Sequence, residues 1–321
     1  MATLIKLARL TQPDFKGLAA SRARAQLLTI PYSHYCELGA WALQAAKVPF
    51  DEHAYGPGGN VLPLLRLRVG GGEKLLSSTS QVSKPSNEGD AEVHLQKRPG
   101  GSATAVPACC MPDGSVLLDS WSIVEFAGDT ANVAAVPDDF KLLLDTRLAP
   151  LTRQLTYHIL IGTEKNHDVW HSLVASEGGL GWKAAWWAGG KWMTSRMTKM
   201  FSADDAAARE LCNRRLRELF AQIAEEHGDG IGEAGGPFLF GEETPGMADL
   251  ALAALVAPTV MPPLFCRGKY AAWFDRLVEQ DVELREDIES WRATAAETTN
   301  SALRQRLPST PAKGSALCAH H

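Results

Sequence analysis

Cysteine is scarce, with six in 321 residues. That is too few for a small secreted scaffold stapled by disulfides, so a reducing interior compartment is expected. An excess of basic charge is also missing. Lys and Arg total 32 against 37 Asp and Glu, a formal net charge of −5. The chain therefore lacks the electrostatic footprint of a nucleic-acid binder. No apolar run reaches the roughly 18 residues of a membrane span. The best, Leu250 to Phe265, is broken by Pro258, Pro262 and Pro263. A secretory signal core is absent too. What is there is ordinary globular composition, 45% hydrophobic and 21% charged, on a length suited to two domains.

Residues 1–24 stand apart. Lys6, Arg9, Lys16, Arg22 and Arg24 face one acid, Asp14, the texture of an organelle transit peptide or of a basic extension that stays on the protein. The expected location is cytoplasmic, or a chloroplast or mitochondrion if this stretch is a transit peptide. Ala25 to Ile30 reads as a strand stopped by Pro31. A helix follows, with Leu38, Trp41, Ala42 and Ala45 on one face. Val48 to Tyr55 reads as a second strand, completing β-α-β. Gly56 to Gly72 is a turn with a short helix around Leu62 to Arg68. Residues 73–103 are rich in Ser, Gly, Lys, Asn and Glu without a period, which predicts a flexible insertion. Val106 to Cys110 and Val116 to Leu118 flank Pro112-Asp113-Gly114, so they read as a hairpin. Asp119-Ser120 opens a helix with Ile123, Phe126 and Ala127 inward. Beyond a linker, Phe140 to Ile161, Ala203 to His227, Leu250 to Val256, Tyr270 to Leu277 and Leu284 to Leu307 all read as helical. The expected organisation is an α/β domain over 25–130, an all-α domain over 138–307 and a frayed tail over 308–321.

Three places carry chemistry. Ser33-His34-Tyr35-Cys36 lies at a helix start, where unpaired N–H groups and the positive dipole end favour an anion. Ser33 can donate its O–H to a bound thiolate, or simply cap the helix. Ser-x-x-Cys in place of Cys-x-x-Cys removes a disulfide cycle within the motif. Val106-Pro107, opening a strand, suggests a cis bond that leaves the Val106 backbone to pair with an extended ligand. Asp119-Ser120 offers a carboxylate for an ammonium group, and a hydroxyl with helical N–H groups for a carboxylate. That matches the two charges of an α-amino acid end; a routine helix cap is the plainer reading.

The ordered set resembles the glutathione transferase family. It comprises Ser33-His34-Tyr35-Cys36-Glu37, Val48-Pro49-Phe50, Tyr55-Gly56-Pro57-Gly58, Val106-Pro107, Pro112-Asp113-Gly114 and Leu118-Asp119-Ser120-Trp121-Ser122-Ile123. Phe238 to Pro263, with Ala248-Asp249-Leu250, resembles that family's buried core helix. The resemblance implies a thioredoxin-like α/β domain of four strands and three helices, followed by an all-α helical bundle. It implies glutathione as co-substrate, lying along Val106 and Pro107 with its γ-glutamyl end at Asp119 and Ser120. Ser33 falls at the catalytic position, with Tyr32, Tyr35, Cys36 and His34 as rivals one register away. A homodimer, a small apolar electrophile, no bound cofactor and no metal are implied as well. Isomerase or reductase chemistry would use the same site. A non-catalytic binding or scaffold role for the same fold is the second reading.

Two features depart from the family pattern besides the insertion. The box before the core helix should read Ser/Thr-x-x-Asp, and Gly246 stands where the hydroxyl belongs. Trp170, Trp182, Trp186, Trp187 and Trp192 crowd one stretch, as core, interface patch or apolar co-substrate pocket. A third, separate reading rests on His167 and His171, one helical turn apart. Asp168 stands where a metalloprotease has Glu and no third ligand is evident, so zinc is not expected.

Overall fold

In a computed structural model, the described residues are 23–30, 33–56, 60, 64, 75–76, 106–163, 166–167, 170–171, 174, 180–227, 239–241, 245–260, 279 and 282–298. The basic extension up to residue 22, Tyr32, all but Leu64 of the short helix around Leu62 to Arg68, nearly all of the insertion, the helix over Tyr270 to Leu277 and the C-terminal tail lie outside them.

β1 (Ala25–Thr29) runs into α1 (His34–Ala45) and back into β2 (Phe50–Ala54), which pairs with β1 in parallel. All five β1 residues are buried; the polar pair among them, Gln26 and Thr29, donate to the β2 carboxylates of Asp51 and Glu52. β4 (Ala108–Cys110) and β5 (Val116–Leu117) form the expected hairpin around Pro112-Asp113-Gly114, where Gly114 takes φ 86°, open to glycine without a Cβ penalty. β4 is antiparallel to β1. A further two-residue strand, β3 (Leu75–Leu76), pairs in parallel with β5, giving the order β2-β1-β4-β5-β3. The insertion expected at 73–103 therefore contributes an edge strand to the sheet. Its two leucines gain order from the neighbouring strand rather than from a period of their own.

α2 (Ser120–Ala131) follows β5. The rest of the described chain is helical. α3 (Asp138–Leu143) passes through a π-turn (Leu144–Leu148) into α4 (Ala149–Ile161). Then come α5 (Leu180–Phe201), α6 (Ala206–His227), α7 (Met247–Val260) and α8 (Val282–Thr298). The fold is thus a thioredoxin-like sheet with its helices, followed by an all-α part. Among the described residues no helix is long and apolar enough to cross a membrane.

α1 differs from its expected face. Leu38, Trp41 and Ala42 are buried, but Ala45 is exposed and Gly39, Ala40 and Leu43 are buried instead. The cause is that α1 is packed on two sides, by α2 and by α7. Gly39 makes the close approach possible. A Cβ there would meet Pro107 Cγ at 3.2 Å and Ile123 Cδ1 at 3.3 Å, tighter than ordinary packing tolerates.

α7 is the axle of the helical part, buried from Ala251 to Thr259 and packed on α1, α4 and α8. Its N-cap is Gly246, and the missing hydroxyl is compensated by Asp249. Oδ2 of Asp249 accepts from Gly246 N at 2.9 Å, and Oδ1 accepts from Leu239 N at 3.0 Å. The carboxylate, 1% exposed, ties the segment before the helix to its first turn.

Candidate glutathione site

Topology alone brings the three sequence features to one place. β1 ends at Thr29 and leads to Ser33. β4, antiparallel to β1, begins after Val106-Pro107, and β5, antiparallel to β4, ends at Leu117 and leads to Asp119. The end of β1, the start of β4 and the end of β5 therefore share one edge on three adjacent strands. That edge is where open α/β sheets bind ligands. At about 4.8 Å per strand it spans roughly 10 Å, the length of about three extended residues.

Each feature has definite local geometry. The Val106-Pro107 peptide is cis, as its place at the strand start suggested. The β4 ladder begins at Ala108 opposite Leu28, so Val106 lies outside it. Ser33 is the N-cap of α1: its carbonyl accepts from Cys36 N at 2.9 Å and Glu37 N at 3.0 Å. Its Oγ accepts from Cys36 N at only 3.4 Å. Asp119 is the N-cap of α2, with Oδ1 accepting from Ser122 N at 2.8 Å, while Asp119 N donates to Ser122 Oγ at 3.3 Å. Ser120, the first residue of α2, is buried.

The rivals of Ser33 are placed differently. Cys36 is buried, and burial pushes its thiol up to about 12, against the weaker pull of Ser33 and of the Ile30 N–H, which reaches Sγ at 3.5 Å. At neutral pH it is a thiol. The Tyr35 hydroxyl donates to Asp145 Oδ1 at 2.8 Å. Burial first, then the Asp145 charge, holds that phenol well above its usual range. His34 is buried and held well below the usual imidazole value, by burial and then by Arg153. Its buried Nε2 has no hydrogen-bond partner among the described residues.

Asp145 is the residue that sequence reasoning missed. It sits in the π-turn, is 6% exposed, and accepts from Tyr35 and from Trp121 Nε1, both at 2.8 Å. Tyr35 lies two residues past Ser33, and Trp121 one past Ser120. One buried carboxylate of the helical part therefore holds both helix starts of the sheet's edge. Burial raises its pKa; the bonds from Trp121 and Tyr35 and the Lys141 charge oppose this, and the Asp119 charge adds to it. The partners are 110 and 24 positions away, so no local pattern announces them.

The tryptophans divide. Trp170 and Trp186 are buried and meet edge to face. Trp182 stacks on Trp186 and donates to Val174 O at 3.0 Å. It also closes over Gly56, where a Cβ would sit 2.3 Å from the indole. Trp187 and Trp192 face solvent. His167 Nε2 lies 3.1 Å from Ile161 O, while His171 Nε2 lies 3.4 Å from Thr194 Oγ1. Among the described residues no three His, Cys, Asp or Glu side chains gather at metal-binding spacing.

No family model matches the chain, and no curated protein matches it. Solved structures do. The chain is similar to a glutathione S-transferase of Ceriporiopsis subvermispora in complex with glutathione, at 12% identity over 84% of this chain and 97% of that one, with a TM-score of 0.47. A glutathione transferase of Phanerochaete chrysosporium matches at 12% identity over 84% and 97%, TM-score 0.45. A glutathione transferase family member from Pseudomonas fluorescens with two glutathiones bound matches at 10% over 88% and 96%, TM-score 0.43. The fold itself stands on the sheet and helices above: the resemblance implied four strands and three helices in the first part, and the described residues carry five strands, the short β3 included, with α1 and α2.

Proposed function

We propose that the chain binds glutathione along this edge and transfers its thiolate to a small apolar electrophile. The observation that supports this most is the alignment of Ser33, Val106-Pro107 and Asp119-Ser120 on adjacent strands, across the span of an extended tripeptide. Asp119 takes the γ-glutamyl ammonium. Ser120 and the first N–H groups of α2 take its carboxylate. The Val106 backbone pairs with the cysteinyl unit as an added strand. Ser33 donates its hydroxyl to the sulfur, and the dipole of α1 favours the anion. The thiol proton leaves to water. The sulfur then forms a bond to the electrophilic carbon, and the leaving group departs with its electron pair. Val106 and Asp119 position; Ser33 is the catalytic group. A reducing compartment and a homodimeric state belong to the same proposal.

Calorimetry with glutathione tests the site. The wild type is expected to bind in the micromolar to millimolar range, and the Asp119→Asn, Ser120→Ala double variant is expected not to. Ser33→Ala should bind as well as wild type and lose about 100-fold in turnover of a dinitrophenyl chloride, the effect of removing one oxyanion donor. Wild-type protein that ignores glutathione would end this reading. Binding without turnover of any electrophile would leave a scaffold built on the fold.

A further inference from the structure

α5 carries four cations, Lys183, Lys191, Arg196 and Lys199, and no Asp or Glu, in a chain whose net charge is −5. Rows of residues four apart divide its surface. The row Trp186, Gly190, Thr194 and Thr198 is buried and holds the helix against Trp170 and His171. Two rows on the far side are exposed at every position. One alternates Lys183, Lys191 and Lys199 with Trp187. The other carries Trp192, Arg196 and Met200. The remaining positions in both are alanine or serine. Trp187 is 89% exposed, Trp192 63% and Met200 52%. The Arg196 guanidinium lies 5.6 Å over the Trp192 ring.

Neither indole helps hold the fold, because the opposite row does that. Large apolar rings left in water and ringed by cations form the pattern of a helix lying in a membrane interface. Indoles settle at headgroup depth, lysine stems lie along the apolar layer, and their ammonium groups meet lipid phosphates. We propose that the outer face of α5 docks on an anionic phospholipid surface. The charge selects this occupant. A second copy would press four cations against four, which repels. The nearest acids in sequence, Glu177, Asp204 and Asp205, lie beyond the ends of α5, and Asp205 is engaged as the cap of α6.

Co-sedimentation tests this with vesicles of phosphatidylcholine alone and of phosphatidylcholine mixed with phosphatidylserine, at about 0.1 M salt. The chain should pellet with the mixed vesicles only, with a blue shift of tryptophan emission. Lys191→Gln with Lys199→Gln should weaken partitioning about 30-fold. Trp187→Ser with Trp192→Ser should abolish the blue shift while the wild-type Tm is kept, since both rings face solvent. No binding to either vesicle would overturn the proposal, as would binding unchanged by both variants. A dimer in sedimentation equilibrium that the tryptophan variant dissociates would overturn it too, assigning the face to a second copy. Glutathione affinity should be the same in all three proteins, which keeps this outcome separate from that of the glutathione site.

Discussion

Two helices of this protein start in opposite ways. At α2 the N-cap, Asp119, carries the acceptor and Ser122 answers it from the third position, so the side chains share the work. At α7 the N-cap is a glycine, and the third-position Asp249 does everything alone, satisfying Gly246 N and reaching back to Leu239 N. The two starts are buried alike apart from their carboxylates: that of Asp119 is partly exposed at the sheet's edge, and that of Asp249 is buried. In a cap shared between two short side chains the loss of either partner frees one N–H group. In a cap vested in one buried carboxylate the loss of that residue frees two. The fold therefore depends more on the side chain at the start of α7 than on either one at the start of α2.

The sharpest way to break the comparison is Asp249→Ala. It takes the acceptor from the buried Leu239 N–H and from the part-buried Gly246 N–H, at a cost of about 3 kcal/mol, or a Tm lower by about 6–10 °C, read in a thermal melt. A loss no larger than that of an Asp119 variant would erase the distinction. Next, Asp119→Ala should cost about 1 kcal/mol as a lost cap in denaturant titration. Asp119→Asn keeps a capping side chain and should stay within a few tenths of wild type. Equal losses in the two would mean the charge itself, not the capping oxygen, stabilises α2. The smallest effect is a gain. A Cβ at Gly246 meets Asp249 Oδ2 at 3.6 Å and Ala248 N at 3.9 Å, both ordinary contacts. Gly246→Ser should therefore restore the shared design and add a few tenths to about 1 kcal/mol. A loss on melting would show that the single-carboxylate cap tolerates no second acceptor.

What was legible in the sequence was local. The apolar run of β1, the Pro-Asp-Gly turn and the all-round apolar α7 each carry their own signal within a few residues. So do the cap residues Ser33 and Asp119, and the proline that opens β4. What was illegible depends on partners far along the chain. Asp145 sits between ordinary helical residues, and only tertiary packing brings Tyr35 and Trp121 to it. Asp249 belongs to a recognisable motif, but nothing local announces its bond to Leu239 N, ten positions back. The inward turn of Trp182 and Trp186 and the outward turn of Trp187 and Trp192 could not be assigned from their crowding alone. It follows from the register of α5 against the helices beneath it.

Asp145 also makes the two halves of the molecule a single mechanical unit. The phenol from the start of α1, the indole from the start of α2 and the π-turn that leads into α4 meet at one carboxylate. Because both sheet-edge helices are anchored to the same point, neither shifts without straining the other. A molecule laid across the two helix starts therefore closes a rigid triangle with its third corner inside the helical part. By linkage, its binding energy is felt at residues it never touches. Occupancy of the proposed site would thus be a property of the whole chain rather than of its α/β half alone.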